Sequence, residues 1–134
     1  MPTMKTLRIN SHKKVEMIDI TGEVVAAVRS FDCACGIIHL YVPHTTAAVT
    51  INENADPDVT RDMIMELNRI VPFEDGYHHL EGNSAAHLKS SLIGVSEFIP
   101  LEDGKPVLGI WQGIYFCEFD GPRQRKLHIR IVPT

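Results

Sequence analysis

The chain has 134 residues, 44% hydrophobic and 22% charged, with 13 Lys and Arg against 17 Asp and Glu for a formal net charge of −4. That length suits one ordinary domain with its own core. No apolar run reaches the ~18 residues of a membrane span, and no long basic run supplies a footprint for nucleic acid. The expectation is one soluble domain over residues 1–134 with neither membrane nor nucleic acid as partner.

Residues 1–14 are polar and basic, with no apolar stretch after them to act as a signal peptide, so a cytoplasmic protein is expected. Leu7 and Ile9, then Val15 and Met17, alternate around the polar stretch Asn10 to Lys14, which reads as an opening hairpin. From Thr21, apolar residues recur at helical spacing. Thr21 is placed to cap this helix and Cys33-Ala34-Cys35-Gly36 to end it, so it spans residues 21–32. Cys33, Cys35 and Cys117 are odd in number, and the first two are too close for an easy bridge; they read as free thiols in a reducing compartment.

Gly36 to Val42 and Ala47 to Ile51 form two strand pieces separated by the polar interruption Pro43-His44-Thr45-Thr46. Asp56-Pro57 is a cap followed by proline at the first helical position, and Val59, Met63, Leu67 and Ile70 then share one face, predicting a helix over 57–70. Ser84 is placed to cap a shorter helix through Ala85, Ala86, Leu88, Leu92 and Ile93, with Gly94 as its stop and His87 on its first turn. Val95 to Pro100, the turn Glu102-Asp103-Gly104, the run Val107 to Phe119 and the alternation Leu127, Ile129, Ile131 read as antiparallel strands. Strands at both ends with about three helices between them argue an α+β fold, an antiparallel sandwich-like domain rather than a doubly wound parallel sheet.

The seven histidines stand at positions 12, 39, 44, 78, 79, 87 and 128. His44 interrupts a buried-looking strand, where an imidazole either faces a cavity or is held by hydrogen bonds as part of the framework. Glu53 lies where the second strand piece ends, as a site residue or a solvated one. His79 and His87 occupy a loop and a helix start and can converge on one ion only if the tertiary structure brings them together. Trp111 and Gln112 precede the strand that Glu118, Asp120 and Arg123 follow; the bland reading is a core Trp and an ordinary turn at Gly121-Pro122. Arg123, Arg125 and Lys126 suit a phosphate or a solvated face. His12, His39 and His128 are read as structural.

Pro43-His44-Thr45-Thr46-Ala47-Ala48, Ile51-Asn52-Glu53-Asn54, the stretch Glu81 to Leu92, Leu108 to Gly113 and Glu118 to Arg123 together resemble the YjbQ-like family, in family-like order over nearly the whole chain. The resemblance implies a sandwich-like fold with helices, assembled as a homotrimer with its polar pocket near the subunit boundary. It also implies a secondary thiamine-phosphate synthase, transferring a hydroxymethylpyrimidine group from its diphosphate to a thiazole phosphate with release of pyrophosphate. The alternative is a trimeric metal- or metabolite-binding protein with only incidental synthase activity. Matching the motifs residue by residue places His44, Glu53, His79, Asn83, His87, Trp111, Gln112, Glu118, Asp120 and Arg123 in the pocket, with His78 the lesser of its pair. On this reading His44, His79 and His87 hold a divalent metal, zinc or magnesium, or meet phosphate oxygens directly. Lys89 and Arg123 neutralise charge on the small phosphorylated substrate, and Glu53 and Asp120 orient the pyrimidine or metal-bound water.

Overall fold

The computed structural model describes residues 4–134, so the reading of the first three residues lies outside it. Eight strands and three helices follow in the order β1 (Met4–Asn10), β2 (Glu16–Asp19), α1 (Thr21–Arg29), β3 (Gly36–Tyr41), β4 (Ala47–Glu53), α2 (Pro57–Ile70), α3 (Ser84–Ile93), β5 (Ser96–Glu102), β6 (Lys105–Pro106), β7 (Gln112–Glu118) and β8 (Gln124–Pro133). A five-stranded sheet has the order β1-β8-β3-β5-β6 and a three-stranded sheet the order β2-β7-β4. Every pairing is antiparallel. This is the α+β class expected from strands flanking helices. No helix among the described residues is long and apolar enough to cross a membrane.

Alternation decides which side chains meet between the sheets. Ile38 and Leu40 of β3, Ile99 and Leu101 of β5, and Leu127 and Ile129 of β8 face inward from the larger sheet, against Val49, Ile114 and Phe116 of the smaller one. Val24 and Val28 of α1 join that core. On the other face of the smaller sheet, Ala48, Tyr115, Cys117 and Phe119 pack with Ala86 of α3 and with Leu67 of α2. The small side chains Ala48 and Ala86 let α3 lie close to β4. Among the described residues no layer covers the outer face of the larger sheet, which exposes Ile37, Tyr41, Phe98 and Val132.

Several local expectations change. The opening hairpin does not form: β1 pairs with β8 and β2 with β7, in different sheets. The alternation was visible, but a polar stretch between two strands does not name their partners. At α1 the cap position belongs to Ile20, and the helix ends at Arg29 rather than residue 32. Thr21 is its first residue, donating to Asp19 and accepting from the Ile114 amide. α2 spans 57–70 as expected, with Asp56 accepting from the Asp58 amide at 2.9 Å. Ser84 likewise enters its helix while Asn83 takes the cap position, and Gly94 ends α3 at φ +100°. The run Val107 to Phe119 is strand only over Gln112–Glu118.

Three of the six connections that cross from one sheet to the other, β1 to β2, β3 to β4 and β7 to β8, meet at one end of the sandwich. Glu118 and Arg125, both buried, join there. Arg125 Nε donates to Glu118 Oε1 at 2.9 Å and a terminal nitrogen donates to Oε2. The same nitrogen reaches Thr46 Oγ1 at 2.8 Å, Ser11 Oγ donates to Glu118 Oε1 at 2.6 Å, and the Asp120 amide donates to Oε2 at 3.0 Å. Burial alone would raise the Glu118 pKa, but hydrogen bonds from Arg125, Ser11 and the Asp120 amide, with the Arg125 charge, hold it below its ordinary value. A Cβ on Gly121 would collide with the Lys13 carbonyl and the Ser11 hydroxyl, so the first and third crossings touch backbone to backbone.

Removing one partner of a buried ion pair strands the other charge, which costs about 3–5 kcal/mol. Arg125→Met is therefore expected to lower stability by roughly that amount, and the double variant Glu118→Leu/Arg125→Met to recover most of the loss. Urea unfolding of the three proteins checks this. A double variant as unstable as the single one would mean that the pair's hydrogen bonds to the crossings, and not the stranded charge, set the cost.

Candidate functional site

The junction of the three crossings is also the floor of a polar cavity of 440 Å³. β3 ends at Tyr41, and the loop that follows is pinned at both ends. The Val42 amide donates to Val95 O at 2.8 Å, and the Phe119 amide donates to Thr46 O at 3.2 Å. Between these anchors His44 turns toward β8. Strand β3 pairs with β8 only from His128 onward, so the amide of Lys126 has no β3 carbonyl to meet. It donates to His44 Nε2 at 2.9 Å, and the imidazole stands where a strand carbonyl would stand. An Nε2 that accepts is unprotonated, so the neutral ring carries its proton on Nδ1.

From the other side α3 presents Asn83 and His87. Asn83 Nδ2 donates to Asp120 Oδ2 at 2.9 Å, while Asn83 Oδ1 is buried with no donor. Arg123 wraps the same residue: Nε donates to the Asp120 backbone carbonyl at 2.9 Å and a terminal nitrogen lies 3.1 Å from carboxylate Oδ2. The His79 ring meets His87 edge-on with centroids 5.5 Å apart, and Glu81 lies 4.0 Å from His79 Nε2. The first turn of α3 holds no acidic residue to offset the positive end of its dipole. A second, larger hollow of 740 Å³ shares His44 and His87 with the first and continues over Tyr41, Val42, Ser91 and Val95. The site thus has a polar half rich in donors and a half with apolar walls.

The expected site residues fall into four groups, the fourth being Lys89 alone. His44, His79, Asn83, His87, Asp120 and Arg123 line one cavity. Glu118 lies beneath it, fully buried, as a positioning residue that touches no open space. Glu53, Trp111 and Gln112 are not brought there. β4 starts at the junction with Ala47 paired to Glu118 and runs away until Glu53 pairs with Gln112; six residues at about 3.3 Å each put Glu53 about 20 Å away. There Gln112 Oε1 accepts from the Gly109 amide at 2.7 Å, and Trp111 is exposed rather than a core residue.

Lys89 follows His87 by two helical positions, about 200° around the axis, so it faces away from the cavity. It is fully buried, its Nζ has no hydrogen-bond partner, and it lies 3.6 Å from the centre of the Phe73 ring. Burial first, then the charge of Lys14, lowers its pKa to about 8. Arg125 moves in the opposite direction from expectation: it is not part of a solvated basic face but the buried partner of Glu118. Its signal was available, since residue 125 shares the inward parity of Leu127 and Ile129 on β8.

Among the described residues no three His, Cys, Asp or Glu side chains are grouped to hold a metal ion. His44 spends Nε2 on the β8 backbone, and the rings of His79 and His87 lie perpendicular. As placed, the three histidines expected as ligands share this cavity without being grouped around one point among the described residues. What the cavity offers is directional donors, one half-exposed guanidinium and a buried acceptor, Asn83 Oδ1, which suit a partly protonated oxyanion.

Burial pushes the His44 pKa below its ordinary 6.5, and the charge of Arg125 adds to that while Glu118 opposes it. A base with a lowered folded pKa contributes stability that is complete above 6.5 and is lost as pH falls through the folded value. Wild-type urea midpoints are therefore expected to drop below pH 6.5 more steeply than those of His44→Gln, whose amide oxygen accepts from Lys126 without titrating. Equal slopes for the two proteins would show that His44 does not carry this pH dependence.

With the geometry in place, comparison with known proteins is direct. A family described as UPF0047 protein YjbQ-like matches residues 5–134. The UPF0047 protein YugU of Bacillus subtilis is 51% identical over 130 residues, covering 96% of this chain and 98% of its own. A UPF0047 protein of Methanocaldococcus jannaschii is 50% identical over 125 residues, covering 93% and 91%. The crystal structure of a YjbQ/UPF0047-family protein of Clostridium acetobutylicum superposes with a TM-score of 0.93 at 48% identity, covering 96% of this chain and 99% of that one. A YbjQ-like protein of Sulfolobus solfataricus P2 keeps a TM-score of 0.93 at 28% identity, covering 98% and 96%. The chain belongs to the YjbQ-like UPF0047 family.

Proposed function

We propose that the cavity binds the diphosphate of a small substrate and that the protein is a transferase of the secondary thiamine-phosphate synthase kind. The observation that carries the reading is the convergence of His44, His79, His87 and Arg123 from three separate segments on one polar cavity beside a hollow with apolar walls. In the proposed reaction the bond from the pyrimidine methylene carbon to the diphosphate oxygen breaks. Its electron pair leaves with pyrophosphate, and the thiazole nitrogen supplies the pair for the new carbon–nitrogen bond. Negative charge grows on the leaving group, where Arg123, the Nδ1–H of His44 and the positive end of α3 stabilise it most as it develops. Asp120 and Asn83 hold Arg123 and the cavity wall in register, and Tyr41 and Val95 supply apolar surface for a ring.

This reading predicts pyrophosphate release from hydroxymethylpyrimidine diphosphate and thiazole phosphate by the purified protein. Removing one stabilising donor typically costs about 10²–10³ in turnover. Arg123→Gln and His87→Ala should therefore lose about a hundredfold with thermal midpoints near wild type, and metal-stripped protein should keep its rate. Trace turnover indifferent to both substitutions would favour a metabolite-binding protein with incidental activity.

The proposal includes a homotrimer, supported by the uncovered outer face of the larger sheet. Phe98 is 64% exposed there, stacked on His39 at 4.6 Å, among Ile37, Tyr41 and Val132. A contiguous apolar face of this kind is characteristic of association surfaces. Sedimentation should give three times the chain mass for wild type and a smaller species for Phe98→Asp; a monomeric wild type rules the trimer out.

A further inference from the structure

The larger sheet carries an arrangement that its own stability does not explain. Arg8 of β1 and Lys126 of β8 are direct cross-strand partners, both exposed on the outer face. Like charges directly opposite on adjacent strands destabilise a sheet, whereas an opposite pair there would help it. Among the described residues neither cation takes part in an ion pair. They border a concavity of 140 Å³ completed by His44, Gln124 and Arg125, with no carboxylate on its walls. Arg125 adds no free charge, because Glu118 neutralises it. The chain is acidic overall, yet Arg8, Arg123, Arg125 and Lys126 all gather around His44.

We propose that Arg8, Gln124 and Lys126 form a second anion subsite, for a phosphate monoester, across His44 from the Arg123 cavity. A monoester is close to a dianion at neutral pH and matches the two uncompensated cations, which a single carboxylate does not. Arg8 supplies a planar fork of donors, Lys126 a point charge and Gln124 an amide donor, which is the mixture that recognises a tetrahedral oxyanion. The concavity holds one such group rather than an extended chain of them. His44 is a wall of both cavities, so its ring separates two anions bound together. The assignment of the ligand rests on the transferase reading, in which two phosphorylated substrates meet; the subsite itself rests on the opposed cations.

The test uses the intact chain with inorganic phosphate as the probe, followed by titration calorimetry and ³¹P NMR in chloride buffer. Wild type is expected to bind two phosphates. Arg8→Gln/Lys126→Gln should lose one of them, weakened at least tenfold, and Arg123→Gln the other. If the double variant keeps both, the subsite is overturned and the cavity reading stands. If the double variant loses one while Arg123→Gln keeps both, the subsite stands and the cavity reading falls. No saturable phosphate in wild type overturns both. Without phosphate, relief of the repulsion should leave the double variant at least as heat-stable as wild type, and phosphate should raise the wild-type midpoint more. A double variant that is less stable in phosphate-free buffer would show that the two cations serve the sheet itself, and the proposal would fail.

Discussion

The buried pairing of Glu118 with Arg125 organises this end of the molecule, because three of the six crossings between its sheets are tied to it. Ser11 comes from the first crossing, Thr46 from the second and the Asp120 amide from the third. Two charges in an apolar junction are costly unless every lone pair and proton is met. Here the carboxylate accepts from four donors and the guanidinium spans two crossings. The pair is therefore less a source of stability than a constraint on where three pieces of chain must lie.

That constraint places the cavity. The loop carrying His44 and the turn carrying Asp120 and Arg123 are held by the same buried ion pair, through Thr46 and the Asp120 amide. Helix α3 closes the third side through Asn83, which bonds Asp120, and brings His87 against His79. Charge is distributed in two tiers: the buried guanidinium is neutralised by its partner, while Arg123, Arg8 and Lys126 stay exposed. Only the second tier can exchange its partners for an anion.

The two sheets contribute unequally. The smaller one is covered on both faces, by the core and by α2 and α3, whereas the larger one is covered only within. Its outer face combines an apolar centre with a basic margin along β1 and β8, so association and anion binding are proposed for neighbouring parts of one surface. At the far end of β4 and β7, Glu53, Trp111 and Gln112 form a separate group: Tyr115 Oη donates to Glu53 O at 3.0 Å and the Gly109 amide donates to Gln112 Oε1 at 2.7 Å.

The amino-acid sequence by itself determined the element types wherever a period was long or a stop was sharp. Asp56-Pro57 and one apolar face sufficed for α2, and the parity of Leu127, Ile129 and Ile131 for β8, because these signals act within a few residues. The family motifs likewise marked His44, Asn83, His87, Asp120 and Arg123. What only the tertiary structure decided was partnership. β1 and β2 look like a hairpin until the polar stretch between them is seen to change sheets. His87 and Lys89 look equally available until packing chooses which side of α3 is buried. Glu53 and His44 are nine residues apart in sequence yet lie at opposite ends of a strand. Arg123 and Arg125 read as one basic cluster, but Arg125 lies at an inward position of β8 and is buried, whereas Arg123 lies in the turn before that strand and stays exposed. Local chemistry sets what a segment is; the long-range pairing of strands sets what it touches.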